Sequence, residues 1–196
     1  MASKTRDMLI DVARQLFALK GVENTTMLDI AEASEKGRRT IYTYFRNKRE
    51  IHQAVIEKES EQIVSRHRAI QKSLISPSEK LEQFIRARFD LRFSAGHKFY
   101  DRDTLWNVLI GGRLDKTRRA VAEKQVEIFH EILREGVAKN EFDPDQARRL
   151  APLVIMLMQG VDNPAGGANL EFLGFKLEEG CDKLIEFILE GIKPRQ

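Results

Sequence analysis

Six basic residues without an intervening acidic residue lie between positions 36 and 49, and cations at this density can bind phosphate oxygens or the acceptor edges of bases. The segment reads KGRRTIYTYFRNKR, so aromatic residues are interleaved with the charges. Arginine matches the paired acceptors on a guanine edge, whereas lysine and hydroxyl groups suit phosphate oxygens. Taken alone, such a run is usually a solvated surface, so its meaning depends on the elements that position it.

Two amphipathic helices are predicted ahead of this segment. Residues 5–20 carry apolar side chains at the spacing of one buried face and end at Gly21, a residue typical of helix C-termini. Thr26 then precedes MLDIAEA, with Asp29 three residues later, which is a capping-box pattern for a short second helix. The predicted packing side of that helix consists of Leu28, Ile30 and Ala31.

A third helix is predicted to begin near Arg38, after a turn at residues 34–37. Ile41 and Phe45 are four residues apart and are expected to share its inward face, which leaves the arginines and hydroxyl groups outside. Three short helices with tight turns and a basic third helix form the helix-turn-helix plan, in which the third helix enters the DNA major groove. The residues predicted to contact DNA are Thr26, Arg38, Arg39, Thr40, Tyr42, Thr43 and Lys48.

The predicted DNA contacts divide by chemistry. The two arginines are the expected base readers, although a guanidinium group also binds phosphate. The hydroxyl groups of Thr26, Thr40 and Tyr42 suit phosphate oxygens, and Lys48 combines a cation with the free backbone N–H groups at the start of a fourth helix. Phosphate contacts of this kind fix the register on DNA without reading its sequence.

The stretch TTMLDIAEASEKGRRTIYTYFRNKREI resembles the N-terminal signature of the TetR family (TetR/AcrR type) of bacterial transcriptional regulators. That pattern has Thr before a hydrophobic-x-acid-Ile-Ala helix, then a turn, then Thr-Ile-Tyr-x-Tyr-Phe-x-x-Lys and an aliphatic residue. The resemblance covers roughly residues 5–55, about a quarter of the chain. The matching positions are Thr26, Asp29, Ile30, Ala31, Thr40, Ile41, Tyr42, Tyr44, Phe45, Lys48 and Ile51.

The resemblance implies an all-α fold with two domains. A three-helix helix-turn-helix domain at residues 1–50 would precede a helical effector-binding and dimerisation domain at residues 51–196, with the fourth helix linking them from about residue 48. It also implies a homodimer through the last two helices and a repressor released from double-stranded DNA by a small-molecule effector. A two-fold dimer places two reading helices on successive turns of the duplex, so the operator is expected to be near-palindromic.

The turn between the second and third helices departs from the family pattern. Where the family usually has Ala-Gly-Val-Ser, this chain has Ser34, Glu35, Lys36 and Gly37, so the turn glycine and the N-cap serine are both replaced. The Ser34 hydroxyl is expected to close the turn, and Gly37 is an acceptable N-cap.

The rest of the chain also repeats with helical period. Caps at Ser76-Pro77 and Asp143-Pro144 mark two helix starts, because Pro is favoured in the first helical position. Residues 150–158 are apolar nearly all round, which predicts burial on several sides or a subunit interface. The predicted helices span 48–73, 77 to about 96, 103–110, 115–139, 147–161 and 170–192, and the last is expected to offer Leu173, Leu177, Leu184, Ile188 and Leu189 as a matching surface.

An apolar effector pocket is predicted in the second domain, where aromatic residues are frequent. Ordinary core packing is the competing interpretation of each of these residues. Polar groups nearby, Arg92, His97, Asp103 and Asn107, are candidates to orient a ligand. The residues predicted to line the pocket are Phe89, Phe93, Trp106, Phe129 and Met156.

Composition narrows the class of protein further. The net charge is +3, and ten basic against seven acidic residues at positions 1–50 account for all of it, as expected of a basic DNA reader on a neutral body. Cys181 is the only cysteine, so no intrachain disulfide or cysteine-based zinc site can form. The N-terminus lacks a signal-peptide pattern and the longest apolar run is about half a membrane span, so we expect a cytoplasmic protein without a membrane partner.

Two other functions remain open at this point. An all-helical enzyme would be expected to carry a phosphate loop, a nucleophile motif, paired metal-binding histidines or a cofactor fingerprint, and the sequence shows none, so no catalytic residue, metal or cofactor is predicted. An architectural protein would bind nucleic acid without sequence preference and without an effector. Binding to random duplex DNA separates this second alternative from a sequence-specific regulator.

Overall fold

The computed structural model describes residues 2–93, 116–161, 174 and 176–194, which contain eight α-helices and no strand. The fold is all-α, as predicted. The predicted helix at 103–110 lies outside the described residues. The helices are α1 (Ala2–Lys20), α2 (Met27–Ala33), α3 (Arg38–Tyr44), α4 (Lys48–Lys72), α5 (Pro77–Phe93), α6 (Lys116–Ala138), α7 (Pro144–Val161) and α8 (Leu177–Ile192).

The described chain divides into two compact units within α4. The first unit runs to Gln62 and the second begins at Ile63, so α4 belongs to both. Ile51 and Val55 are buried in the core of the first unit, which explains why that unit extends well past the start of α4. The sequence had suggested a domain limit at residue 50.

The first unit is a small apolar core that holds α3 from beneath. Ile41 is fully buried and Phe45 nearly so, which confirms the inward face predicted for α3. The predicted packing side of α2 was wrong at Leu28, which is 47% exposed, because the buried stripe follows Met27, Ile30 and Ala31 at helical spacing. The core consists of Leu9, Ile10, Ala13, Phe17, Met27, Ile30, Ala31, Ile41, Phe45, Ile51, Ala54 and Val55.

The turn between α2 and α3 is a Schellman motif that uses glutamate where glycine is usual. The Lys36 amide donates to the Ala31 carbonyl (3.0 Å) and the Glu35 amide to the Glu32 carbonyl (3.0 Å). Glu35 has a φ of 53°, the left-handed conformation that favours glycine. The Ser34 hydroxyl donates to the Ala31 carbonyl (2.9 Å), so it closes the turn as predicted.

The second unit packs α5 to α8 around a separate apolar core. Both predicted caps are confirmed. The Ser76 hydroxyl accepts a hydrogen bond from the Glu79 amide (3.2 Å), and the Asp143 carboxylate accepts one from the Gln146 amide (2.8 Å). The largest side chains fully buried in this core are Phe84, Phe129, Phe142, Leu81, Ile85, Ile128 and Ile132.

The last helix begins later than predicted. The sequence suggested a start at residue 170, but Gly174 has a φ of 80° and Lys176 is extended as the N-cap of α8. A left-handed residue and an extended one cannot continue a helix, so α8 begins at Leu177. Residues 170–173 lie outside the described part of the chain.

Glu35→Gly is expected to raise the free energy of unfolding by up to about 1 kcal/mol, measured by urea denaturation of the full chain. Removing left-handed strain of roughly 1–2 kcal/mol outweighs the extra freedom that glycine gives the unfolded chain. Glu32→Gly is the matched control, because Glu32 is exposed within α2 and glycine there should cost about 1 kcal/mol. Equal destabilisation by both changes would contradict a left-handed Glu35.

Candidate functional site

The outer face of α3 presents the predicted base readers to solvent. Arg38, Arg39 and Thr43 are exposed, Tyr42 is 44% exposed, and Thr40 is half-buried. The Arg38 guanidinium carbon lies 5.9 Å from the centroid of the Tyr42 ring, a cation–π contact that orients both side chains along the helix. The Thr43 hydroxyl donates to the Arg39 carbonyl (3.0 Å), so its proton is used within the helix.

Thr26 fixes the start of α2 through a capping box, as predicted. Its hydroxyl oxygen accepts from the Asp29 amide (3.1 Å), and the Asp29 carboxylate accepts from the Thr26 amide (2.7 Å) and the Thr26 hydroxyl (2.8 Å). These hydrogen bonds, first of all the one from the backbone, lower the pKa of Asp29. A DNA contact by Thr26 would therefore be made by a side chain that already holds the helix terminus.

Lys48 has a structural role that the sequence did not reveal. Its ammonium group donates to the carbonyl of Val22 (2.7 Å) and to that of Glu23 (3.0 Å), so it fastens the segment after α1 to the start of α4. Two of its three donors are used in this way, and one is left for a phosphate oxygen. The contact joins residues that are more than twenty positions apart, and no local pattern signals it.

Asn47 caps the start of α4 immediately after the basic helix. Its side-chain oxygen accepts from the Glu50 amide (3.0 Å), and the Glu50 carboxylate accepts from the Arg46 amide (2.7 Å). An Asn followed three residues later by Glu is a known start signal, so this cap could have been found in the sequence. The cap fixes how the chain leaves α3 and enters α4.

A second candidate site lies in the second unit, between α5, α6 and α7. A cavity of about 20 Å³, room for one water molecule, is lined by both apolar and polar side chains. Phe129, one of the predicted pocket residues, lines this cavity, and Phe89 is buried in the same core. Among the described residues, the lining consists of Phe84, Arg88, Ala122, Gln125, Val126, Phe129 and Ile155.

Of the remaining predicted pocket residues, only Met156 has a described side chain, and it is not among the described residues that line this cavity. Met156 is 62% exposed, because it faces away from the core on α7 while its neighbour Ile155 faces inward. The Phe93 side chain and Trp106 lie outside the described residues, as do the predicted orienting groups His97, Asp103 and Asn107 and the side chain of Arg92.

Beside the cavity, three buried polar side chains from α5, α6 and α4 form a chain of contacts from one helix to the next. The Arg88 guanidinium of α5 donates to the side-chain oxygen of Gln125 in α6, and the Gln125 nitrogen lies 3.4 Å from Nδ1 of His67 in α4. His67 is fully buried and its ring packs against Phe84 with centroids 4.3 Å apart. Burial, together with the positive charges of Arg88 and Arg66, lowers the pKa of His67 to about 4.

The last two helices carry exposed apolar side chains. Large hydrophobic residues are normally covered when they cluster, so this surface is a candidate interface. The surface predicted on the final helix differs, because Ile188 is buried and Leu184 and Leu189 pack against the unit's own core. Among the described side chains of α7 and α8, the exposed large hydrophobic ones are Leu153, Met156, Leu157 and Phe187.

Metal-ligand clusters and membrane-spanning helices were sought in the described part of the chain. No group of three or more potential metal ligands comes together among residues 2–93, 116–161 and 176–194. Within the same ranges, none of the helices combines the length and the hydrophobicity that crossing a membrane requires.

A capped α2, a tight turn and an exposed basic α3 on one small core define a helix-turn-helix DNA-binding domain. Comparison with known sequences finds proteins with a similar domain. Residues 9–55 match the sequence model described as "Bacterial regulatory proteins, tetR family". The transcriptional repressor KstR2 of Mycolicibacterium smegmatis is 28% identical over 143 residues, 71% of this chain and 68% of that protein. The N-terminal quarter of the chain is thus similar to tetR-family regulators, and most of its length is similar to the repressor KstR2.

Solved structures share the fold along nearly the whole chain. A transcriptional regulator from Cytophaga hutchinsonii superposes with a TM-score of 0.72 at 23% identity, covering 96% of this chain and 98% of that one. The regulator FadR from Bacillus subtilis, solved in complex with stearoyl-CoA, gives a TM-score of 0.64 at 21% identity, covering 94% and 98%. Both similarities extend the architecture to the second unit.

Lys48→Met is expected to lower the free energy of unfolding by about 1–3 kcal/mol, because two carbonyl groups lose their charged donor. Urea denaturation of the full chain measures the change. Arg49→Met is the control, since Arg49 is the next residue along α4 and is exposed, and its effect should stay below about 0.5 kcal/mol. Equal effects of the two changes would show that the Lys48 contacts do not stabilise the fold.

Acidification is expected to destabilise the protein through His67. Its folded pKa of about 4 lies below the ordinary value of 6.5, so the unfolded chain binds the proton more tightly. The contribution of neutral His67 to the free energy of unfolding is fully present above about pH 6.5. It declines as the pH falls toward 4, by about 2 kcal/mol between pH 7 and pH 5. His67→Phe should remove that part of the pH dependence in denaturation curves, whereas an unchanged slope would contradict it.

Proposed function

We propose that the protein is a repressor that binds a near-palindromic operator as a homodimer and releases it when a small molecule binds the second unit. The observation that carries the DNA-binding part is the exposed, acid-free outer face of α3, held by two buried side chains beneath it. A seven-residue helix of this kind fits a major groove of about 12 Å. The printed name of the relative KstR2 supports repression as the mode of action.

The proposed DNA contacts follow the exposure of each side chain. Arg38 and Arg39 are assigned to base edges, since both guanidinium groups are exposed on α3. Tyr42, Thr40 and Thr43 are assigned to the flanks of the same helix, where phosphate oxygens pass. Thr26 and Lys48 are assigned to phosphates at the two neighbouring helix starts, in addition to their contacts within the fold.

The proposed dimer uses the last two helices. Four large apolar side chains exposed on α7 and α8 would be covered by the same residues of a second copy. A two-fold dimer would bring two copies of α3 to successive major grooves, about 34–36 Å apart. A monomer would have half of these contacts and correspondingly weaker binding.

Release by an effector is proposed as a population shift. In one state of the dimer the two α3 helices match the spacing of the major grooves, and in the other they do not. An effector that binds the second state more tightly lowers the affinity for DNA, by at most the difference between its binding free energies for the two states. The cavity between α5, α6 and α7 supports this part of the proposal. The FadR structure was solved with stearoyl-CoA, which is an example of a small ligand on this architecture.

Arg38→Ala and Arg39→Ala are each expected to weaken operator binding by about 1–3 kcal/mol and to relax specificity at one base position. Fluorescence anisotropy with a labelled palindrome from the upstream region of the protein's own operon measures this. Lys72→Ala removes the same charge from an exposed position at the end of α4 and should change binding by less than about 0.5 kcal/mol.

The wild-type protein should bind the palindrome with a dissociation constant in the nanomolar range at moderate salt, as is usual for sequence-specific DNA binding. Equal affinity for a random duplex of the same length would rule out the repressor and favour an architectural protein. Equal losses of operator affinity in Arg38→Ala, Arg39→Ala and Lys72→Ala would instead show that the base readers are misassigned.

A further inference from the structure

The exposed cations of the first unit extend beyond α3. Arg6 in α1 and Arg49 in α4 are both exposed, and both line an open groove of about 600 Å³. Tyr44 and Phe45, the last residue and the C-cap of α3, line the same groove. Two positive charges from α1 and α4 therefore face solvent where α3 ends.

Arg6 is held in place without being neutralised. Its guanidinium carbon lies over the Phe45 ring, 5.2 Å from the centroid. A ring face attracts a cation but takes no hydrogen from the edge of the guanidinium group, so the fork of N–H donors stays available for two oxygens. Neither Arg6 nor Arg49 forms a salt bridge with a described residue, whereas Lys58, farther along α4, pairs with Asp11 of α1 (2.8 Å).

Two carboxylates also line the groove, and both have partners on α4 or just before it. Glu50 accepts a hydrogen bond from the Arg46 amide (2.7 Å) and lies 4.0 Å from Arg46 Nε. Glu57 accepts one from the side-chain nitrogen of Gln53 (3.3 Å). Glu57 follows Arg49 by eight residues, which is about 12 Å along a helix. The end of the groove next to α3 is therefore the positive end.

Lys48 and Arg49 are neighbours on α4 but serve different sides of it. The Lys48 ammonium group donates to the carbonyls of Val22 and Glu23, in the segment after α1. Arg49 instead lines the groove that it shares with Arg6, near the beginning of α1. A reading helix in the major groove has a sugar-phosphate strand on either side, so contacts on two sides of the domain can hold both strands.

We propose that Arg6 and Arg49 bind a phosphate of the DNA backbone at the C-terminal end of α3. This inference rests on the proposed function and adds a second anchoring point to it. Arg6 supplies a forked pair of donors from one wall of the groove, and Arg49 supplies a second charge from the other wall. A phosphate contact reads no base, so this one fixes the orientation of α3 and not the sequence that α3 selects.

The salt dependence of DNA binding counts the phosphates that the protein contacts. Fluorescence anisotropy of labelled operator DNA with the full-length protein gives the dissociation constant at several KCl concentrations. Combining Arg6→Met with Arg49→Met should flatten the slope of log Kd against log salt concentration by about 1 for each copy of the chain bound. Each single substitution should produce part of that change.

Lys72→Met is the matched control for the salt dependence, because Lys72 is exposed at the far end of α4 and loses the same charge. Its slope should equal that of the wild type. Thermal unfolding of each variant confirms that it is folded. A wild-type slope in the folded double variant would overturn the proposal, and so would a loss of affinity without a change of slope, which indicates a structural role.

Uncharged phosphates in the operator locate the contact. In a series of duplexes, one phosphate in each half-site is replaced by a neutral methylphosphonate. We expect the wild-type protein to lose at least about threefold in affinity at one or two positions that the double variant no longer distinguishes. If wild type and double variant lose affinity equally at every position, the phosphate is not bound by these two arginines.

Two further comparisons separate a phosphate contact from base reading. Arg6→Met should weaken binding to the operator and to a random duplex by the same factor, within about twofold. Arg6→Lys should keep most of the salt slope, because the charge stays while the fork is lost. A much larger loss for the operator than for the random duplex would make Arg6 a base reader and contradict the proposal.

The two levels of proposal fail in different ways. If the wild-type protein prefers the operator but the double variant keeps its salt slope, the repressor function stands and the second anchoring point is wrong. If the wild-type protein has no preference for the operator, the proposed function fails. The salt slope on random duplex then still decides whether Arg6 and Arg49 bind phosphate.

Discussion

The DNA-binding surface depends on the packing of two side chains beneath a very short helix. A helix of seven residues has little stability of its own, and α3 has no side-chain cap at Gly37. Its position therefore comes from burial of Ile41 and Phe45 in the first core. Arg6 adds to this hold, since its guanidinium carbon lies 5.2 Å from the Phe45 ring centroid. The basic residues can be exposed and correctly placed because these apolar side chains are buried.

The contacts of the first unit also explain why the turn before α3 tolerates Glu35 in a left-handed conformation. The Schellman hydrogen bonds and the Ser34 hydroxyl hold Glu35 in a left-handed conformation that glycine would adopt without strain. Lys48 also stabilises the first unit, because its ammonium group donates hydrogen bonds to two carbonyl groups in the segment after α1. Local strain is thus offset by contacts made elsewhere in the small domain.

The cations of α3 in the first unit and Arg88 in the second unit differ in their exposure to solvent. In the first unit the cations of α3 are exposed, where water and DNA can solvate them, and their cost within the fold is small. In the second unit Arg88 is buried beside a small cavity and is hydrogen-bonded to Gln125, which contacts His67. A buried charge contributes little net stability, because its desolvation offsets what its polar partners gain. This contrast is the physical basis for assigning DNA binding to the exposed cations of the first unit.

The sequence by itself determined the elements whose signals are local. The capping boxes at Thr26 and Ser76, the inward pair Ile41 and Phe45, and the basic face of α3 all follow from spacings of three or four residues. Only the tertiary structure decided the Lys48 contacts, the outward position of Met156 and the buried chain from Arg88 to His67. Each of these depends on which face of one helix meets another distant in sequence, and helical periodicity gives the faces of a helix but not its neighbours.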